Sequence, residues 1–127
     1  MNFPDDLKYT KEHEWLRIEN DVAVVGITDY AQSELGDIVF IEFPEKGSSY
    51  SQNDSMGTIE AVKTVADLYA PVSGEVIEVN DELADTPESV NQDPYEKGWM
   101  VKIKMSNPSE VDALLDSAAY KEHVAEA

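Results

Sequence analysis

With 127 residues, 42% of them hydrophobic, the chain is long enough to close a core of its own and is read as one domain over residues 1–127. It has no cysteine, which excludes disulfides, thiolate catalysis and Cys-based zinc or iron–sulfur sites. Its 27 acidic against 9 basic side chains give a formal charge of −18, which disfavours nucleic acid and anionic lipid surfaces and favours partners with basic docking faces.

The opening stretch MNFPDDLKYT lacks the basic start and apolar core of a secretion signal. No run reaches the length of a membrane span, so the expected location is cytoplasmic. Residues 13–28 predict a hairpin, Trp15–Ile18 and Val22–Val25 around a Glu19-Asn20-Asp21 turn. Thr28 is placed to cap a helix over 29–35, with Asp29 in its first turn and Gly36 ending it in a left-handed conformation. Residues 37–43 (DIVFIEF) predict a strand, and Pro44-Glu45-Lys46-Gly47 a turn.

Residues 56–62 form the next strand, in which Gly57 marks a bend or a close backbone approach. Residues 64–70 form a strand closed by Pro71, and 75–79 (EVIEV) alternates as a further strand. Residues 80–96, polar and carrying Pro87 and Pro94, read mostly as loop. Residues 99–105 (WMVKIKM) alternate with Lys102 and Lys104 outward. An amphipathic helix is expected after Asn107-Pro108, capped by Ser109 with Asp112 completing an approximate capping box, its stripe made of Val111, Leu114 and Leu115. The tail AAYKEHVAEA predicts a second short helix. Many short strands with Pro and Gly turns point to a sandwich or barrel.

No enzyme motif stands out. There is no phosphate-binding glycine loop, no GxSxG and no HExxH. His13 and His123 are the histidines; the first reads as a structural hydrogen-bonder on a strand edge, the second as solvated. The stretch IEAVKTVADLYAPVSGEV poses the main question: Lys63 stands between two strand-like runs with almost no turn residue. A hairpin tip there pushes the amine into solvent, because burying an unpaired charge is expensive. Spacing alone favours an ordinary surface lysine. A solvated ammonium is a poor nucleophile at neutral pH, so a Schiff-base role is disfavoured and modification by another enzyme fits better.

The stretch GTIEAVKTVADLYAPVSGEVIEVN resembles the lipoyl-attachment hairpin of glycine cleavage system H proteins. LKYTKEHEWLR at 7–17, VGITDYAQSELGDIVFIEFPEKG at 25–47, DPYEKGWMVKIK at 93–104 and the ending SNPSEVDALLDSAAYKEHV agree in order and spacing, so the resemblance spans nearly the whole chain. It implies a mainly β fold, a barrel-sandwich hybrid or flattened sandwich of the lipoyl-domain kind, with a short internal helix and C-terminal helices. It implies lipoic acid joined by an amide to Lys63 as N6-lipoyllysine, and a carrier subunit, not a catalyst. The implied partners are glycine decarboxylase (P protein), which loads the aminomethyl group, aminomethyltransferase (T protein), which takes its methylene, and dihydrolipoamide dehydrogenase (L protein), which reoxidises the arm. A lipoate ligase or octanoyltransferase attaches the arm, and a monomer is expected because the arm must reach several enzymes in turn.

Glu14 and Asp67, then Glu12, are the acids expected to hold the cationic amine of a loaded arm folded back on the body; the alternative is that they are solvated acids among many. The tip, Glu60-Ala61-Val62-Lys63-Thr64-Val65-Ala66, departs from the family's usual ESVKA and lacks the DKA of 2-oxoacid dehydrogenase lipoyl domains and the MKM of biotin carriers. A second reading is an H-like protein that relays lipoyl groups to other lipoate-dependent enzymes.

Overall fold

Trp15 and Leu16 are neighbours that point to opposite faces of one sheet, and both faces are covered. That is why the strand carrying them is apolar at consecutive positions instead of alternating. The computed structural model describes residues 1–126. Strands β1 (Lys8–Tyr9), β2 (Glu14–Glu19), β3 (Val22–Ile27), β9 (Val101–Met105), β8 (Gly74–Val79) and β5 (Ser49–Tyr50) form one antiparallel sheet in that spatial order. Strands β4 (Ile38–Glu42), β6 (Ser55–Ala61) and β7 (Val65–Tyr69) form a second, in the order β4-β6-β7.

The sheets close on a core that includes Leu16, Val25, Ile41, Ile59, Leu68, Val76 and Ile103. The other face of the larger sheet carries a second cluster of Leu7, Tyr9, Trp15, Val24, Tyr95 and Tyr120. Helix α4 (Ser117–Ala125) covers it. Tyr120 stacks on Tyr9 with ring centroids 4.7 Å apart, and Tyr9 and Leu115 exchange backbone hydrogen bonds of 2.8 and 2.9 Å. The two ends of the chain are thereby joined beside β2.

Helix α1 (Asp29–Leu35) has the predicted bounds. The Thr28 hydroxyl accepts from the Ala31 N–H, satisfying one of the first-turn donors. Gly36 ends the helix at φ 81°, but with ψ −154°, an extended rather than left-handed state that glycine alone adopts readily.

Two segments differ from the expected secondary structure. Residues 80–96 contain two single-turn helices, α2 (Glu82–Asp85) and α3 (Ser89–Gln92), anchored by the buried side chains of Leu83 and Val90. One turn is too short to leave a helical period in the sequence. The segment after Asn107 is a 3-10 turn, Pro108–Ala113, without a side-chain cap. The Ser109 hydroxyl donates to the Asn107 side chain at 2.6 Å instead of capping, and Glu110 is drawn out to accept from the Ser73 N–H and hydroxyl at 2.7 and 2.8 Å.

Candidate functional site

Lys63 occupies the tip between β6 and β7, where the Ala61 N–H donates to the Thr64 carbonyl at 2.8 Å. The side chain is exposed. Its stem lies beside the end of α1: a Cβ placed on Gly36 would sit 3.4 Å from the Lys63 Cε. The tip is tied down from the same direction, since the Val62 N–H donates to the Asp37 carbonyl at 3.0 Å.

Asn91 of α3 holds that junction. It donates to the Gly36 carbonyl at 2.8 Å and accepts from the Ile38 N–H at 3.0 Å, on either side of Asp37. Sequence reasoning missed Asn91 because it lay in the supposed loop. An amide side chain near the end of a one-turn helix carries no signal of its own; only the fold brings it to the end of α1. Around the lysine stands an apolar rim: Val62 is 76% exposed, Val65 59%, and Val39 and Phe40 50% each. Phe40, Glu60 and Val65 are cross-strand partners in register, so Phe40 and Val65 flank Glu60 in one row across the small sheet.

A cleft of about 250 Å³ opens next to the tip, between α1, β7 and the turn before β2. Ile27, Ala31, Leu35, Ile59 and Ala66 make its apolar wall. Glu12, Glu14 and Asp67 all line it, together with His13, Tyr30 and Glu34. The three acids singled out from sequence therefore meet in one place. Asp67 lies four residues beyond Lys63, on β7.

The three differ in environment. Glu12 and Asp67 are exposed. Glu14 is only 2% exposed. The Thr10 hydroxyl donates to its carboxyl at 2.6 Å and accepts from the Glu14 N–H at 3.1 Å, closing a tight turn around His13, which sits at φ 71°. Burial pushes the Glu14 carboxyl up to about 8; the Thr10 hydroxyl and Tyr69 N–H pull the other way, and Glu12 adds to the rise. The ion pairs among the described residues are Arg17–Glu96 and Lys102–Glu78, so no cation compensates Glu14.

This gives a signed expectation for stability. Between the ordinary carboxyl value of 4.5 and about 8, the folded chain keeps a Glu14 proton that the unfolded chain has lost. Folding stability therefore falls as pH rises through that window and levels off above it. Chemical denaturation of Glu14→Gln, which cannot titrate, should show the variant gaining on wild type by a few kcal/mol from pH 4.5 to pH 8. A constant difference across the window would mean that Glu14 is not buried as described.

The histidines converge, contrary to the expectation that His123 is simply solvated. Their ring centroids are 5.6 Å apart, and His123 Nε2 lies 3.1 Å from the Lys11 carbonyl oxygen. His13 Nδ1 lies 2.8 Å from the Tyr120 hydroxyl, which is also 2.8 Å from the Thr28 hydroxyl, the same oxygen that caps α1. Burial, then His123 beside it, hold His13 below the ordinary imidazole value. A neutral His13 thus braces the cleft wall.

The family model described as Glycine cleavage H-protein matches residues 7–127. The chain belongs to that family. It is 55% identical over 126 residues to the glycine cleavage system H protein of Staphylococcus carnosus, covering 99% of this chain and 100% of that one. The H protein of Staphylococcus epidermidis is 56% identical over the same span and coverage. Among solved structures, the glycine cleavage system H protein from Mycobacterium marinum superposes with a TM-score of 0.87 at 37% identity, covering 98% of each chain. The mainly β, two-sheet architecture expected from the family is the one found.

Proposed function

We propose that this chain is the lipoylated carrier of the glycine cleavage system, with the lipoyl group joined to Lys63 and the cleft beside it receiving the arm. The carrying observation is the geometry of the tip: an exposed lysine on a hairpin pinned at Val62, its stem beside Gly36 at the end of α1, with a cleft of apolar wall and acidic rim between α1 and β7. The residues fit the group. The Ile27, Ala31, Leu35, Ile59 and Ala66 wall suits an alkyl chain, and Glu12, Glu14 and Asp67 suit a cationic amine at its end.

When attached, the dithiolane supplies the redox and group-carrying chemistry; the chain presents and shelters it. Asn91 and the Asp37 carbonyl keep the tip rigid, which limits the volume the arm must search. Val62, Val65, Val39 and Phe40 offer a compact apolar landing area framed by acids such as Glu42 and Glu60, suited to enzymes with basic faces: the decarboxylase, the aminomethyltransferase, the dehydrogenase and the ligase or octanoyltransferase in turn. The chain itself is non-catalytic in this reading and works as a monomer in the cytoplasm. No helix among the described residues is long and apolar enough to cross a membrane.

Lipoyl relay to other enzymes uses the same lysine, so the discriminating test adds the decarboxylase. Lipoylated wild type should support exchange of labelled bicarbonate into glycine, and Lys63→Arg should reduce it to background. A lipoylated chain that supports no exchange with an active decarboxylase would favour the relay.

A further inference from the structure

Glu14 presents a problem that holding an amine does not by itself explain. A carboxylate 2% exposed and without a cation should not persist in an apolar wall. Yet a cationic cargo that reaches the buried end of the cleft needs a negative charge there. The neighbours sharpen the conflict. From its own turn Glu14 is faced by Thr10, Glu12 and His13; from β7 by Asp67 and Tyr69; from α1 by Tyr30 and Glu34; and from α4 by Tyr120. These are acids, phenols, a hydroxyl and an imidazole held neutral. Only the Thr10 hydroxyl and the Tyr69 N–H favour an ionised Glu14, burial outweighs them, and no positive charge stands beside it.

We infer that Glu14 is a neutral acid in the empty cleft and gives its proton to a primary amine that enters, so that the charge at this buried position appears only together with the cargo. This deepens the carrier reading and rests on it. In the transfer, the carboxyl O–H bond breaks, its electron pair stays on the carboxylate, and an N–H bond forms on the amine nitrogen. An amine that arrives already protonated instead sends the Glu14 proton to solvent. No other reactant is required.

Two consequences follow from the chemistry. An arm without an amine meets no charge at the buried Glu14, so the inner part of the cleft accepts both the apolar and the loaded arm. An amine held as ammonium has no free lone pair with which to expel the neighbouring sulfur, so the proton from Glu14 slows loss of the cargo. Glu12 and Asp67, unlike Glu14, are exposed at the rim of the cleft.

The test uses the lipoylated chain with carbon-13-labelled glutamate, its arm reduced and alkylated with 2-bromoethylamine. Bromoethane gives a control arm with the same two added carbons on each thiol and no nitrogen. Glu14→Gln assigns the carboxyl signal in an NMR titration. With the ethyl arm, Glu14 should titrate at about 8. With the aminoethyl arm its ionisation constant should rise about 100-fold, the effect of one opposite charge at contact distance. Titration of Glu14 like an exposed glutamate with the ethyl arm would overturn the inference. So would equal midpoints with both arms while the Ala31, Ile59 and Ala66 amides shift, since the arm would then occupy the cleft without moving the proton. If neither arm shifts those amides, the cleft does not receive the arm and the carrier reading of the cleft falls first, taking this inference with it.

Discussion

Gly57→Ala should destabilise the chain by about 3 kcal/mol or more and lower its melting temperature by roughly 10 °C. A methyl carbon at position 57 would lie 2.1 Å from the Glu42 carbonyl oxygen and 3.3 Å from its carbon. Both groups are backbone in paired strands, so neither can swing aside as a flexible side chain does. Glu42 pairs with Thr58, and the β6–β7 register slips between Ser55 and Gly57, which is where β6 is pressed against β4. The only relief is to part the two strands, and β6 is the strand that supports Lys63. For a domain of marginal stability that loss is a large share of the whole. Thermal unfolding of the variant checks it, and a change within about 0.5 kcal/mol of wild type, as for a bland surface substitution, would mean that the strands do not approach so closely.

The second large effect concerns the cargo. Glu14→Ala with Asp67→Ala should speed release of ammonia and formaldehyde from the aminomethyl-loaded protein by about tenfold or more, because hydrogen bonds to a charged group contribute about 1.5–3 kcal/mol and 1.4 kcal/mol is a factor of ten. The two acids reach the same cleft from different parts of the chain: Glu14 from the start of β2, Asp67 from the edge strand of the smaller sheet. Lipoylation of the double variant should be unchanged, since neither side chain belongs to the tip. An unaltered release rate would leave both as ordinary acids on the rim of a groove.

What could be read from the sequence was local. Helix α1 was legible to the residue because Thr28, Asp29 and Gly36 act on their immediate neighbours. Gly57 was legible as a close approach, though not what it approaches. The hairpin around Lys63 followed from two strand-like runs with nothing between them. The nature of the lysine did not follow from spacing, which suits a surface lysine equally well; the resemblance of the segments around it supplied that expectation.

Properties set by contacts distant in sequence were not legible. Asn91 looks like one more polar loop residue until α3 brings it 55 residues back to Gly36. His123 looks solvated until α4 packs against the Tyr9–Tyr120 stack and brings it beside His13. The buried state of Glu14 depends on the Thr10 turn, on β7 and on α1 together, so a sequence reading could list it among the acids but could not separate it from Glu12 two residues away. The 3-10 turn at Pro108–Ala113 shows the same limit: a plausible Ser109 cap yields when Glu110 finds two donors on Ser73.

The most direct test is intact mass with peptide mapping after co-expression with a lipoate ligase and lipoate. A single lipoyl adduct on the peptide containing Lys63, absent from Lys63→Arg, is the result predicted. An unmodified wild-type chain, with the ligase active on a control acceptor in the same experiment, would contradict the account and return Lys63 to the ordinary surface lysines.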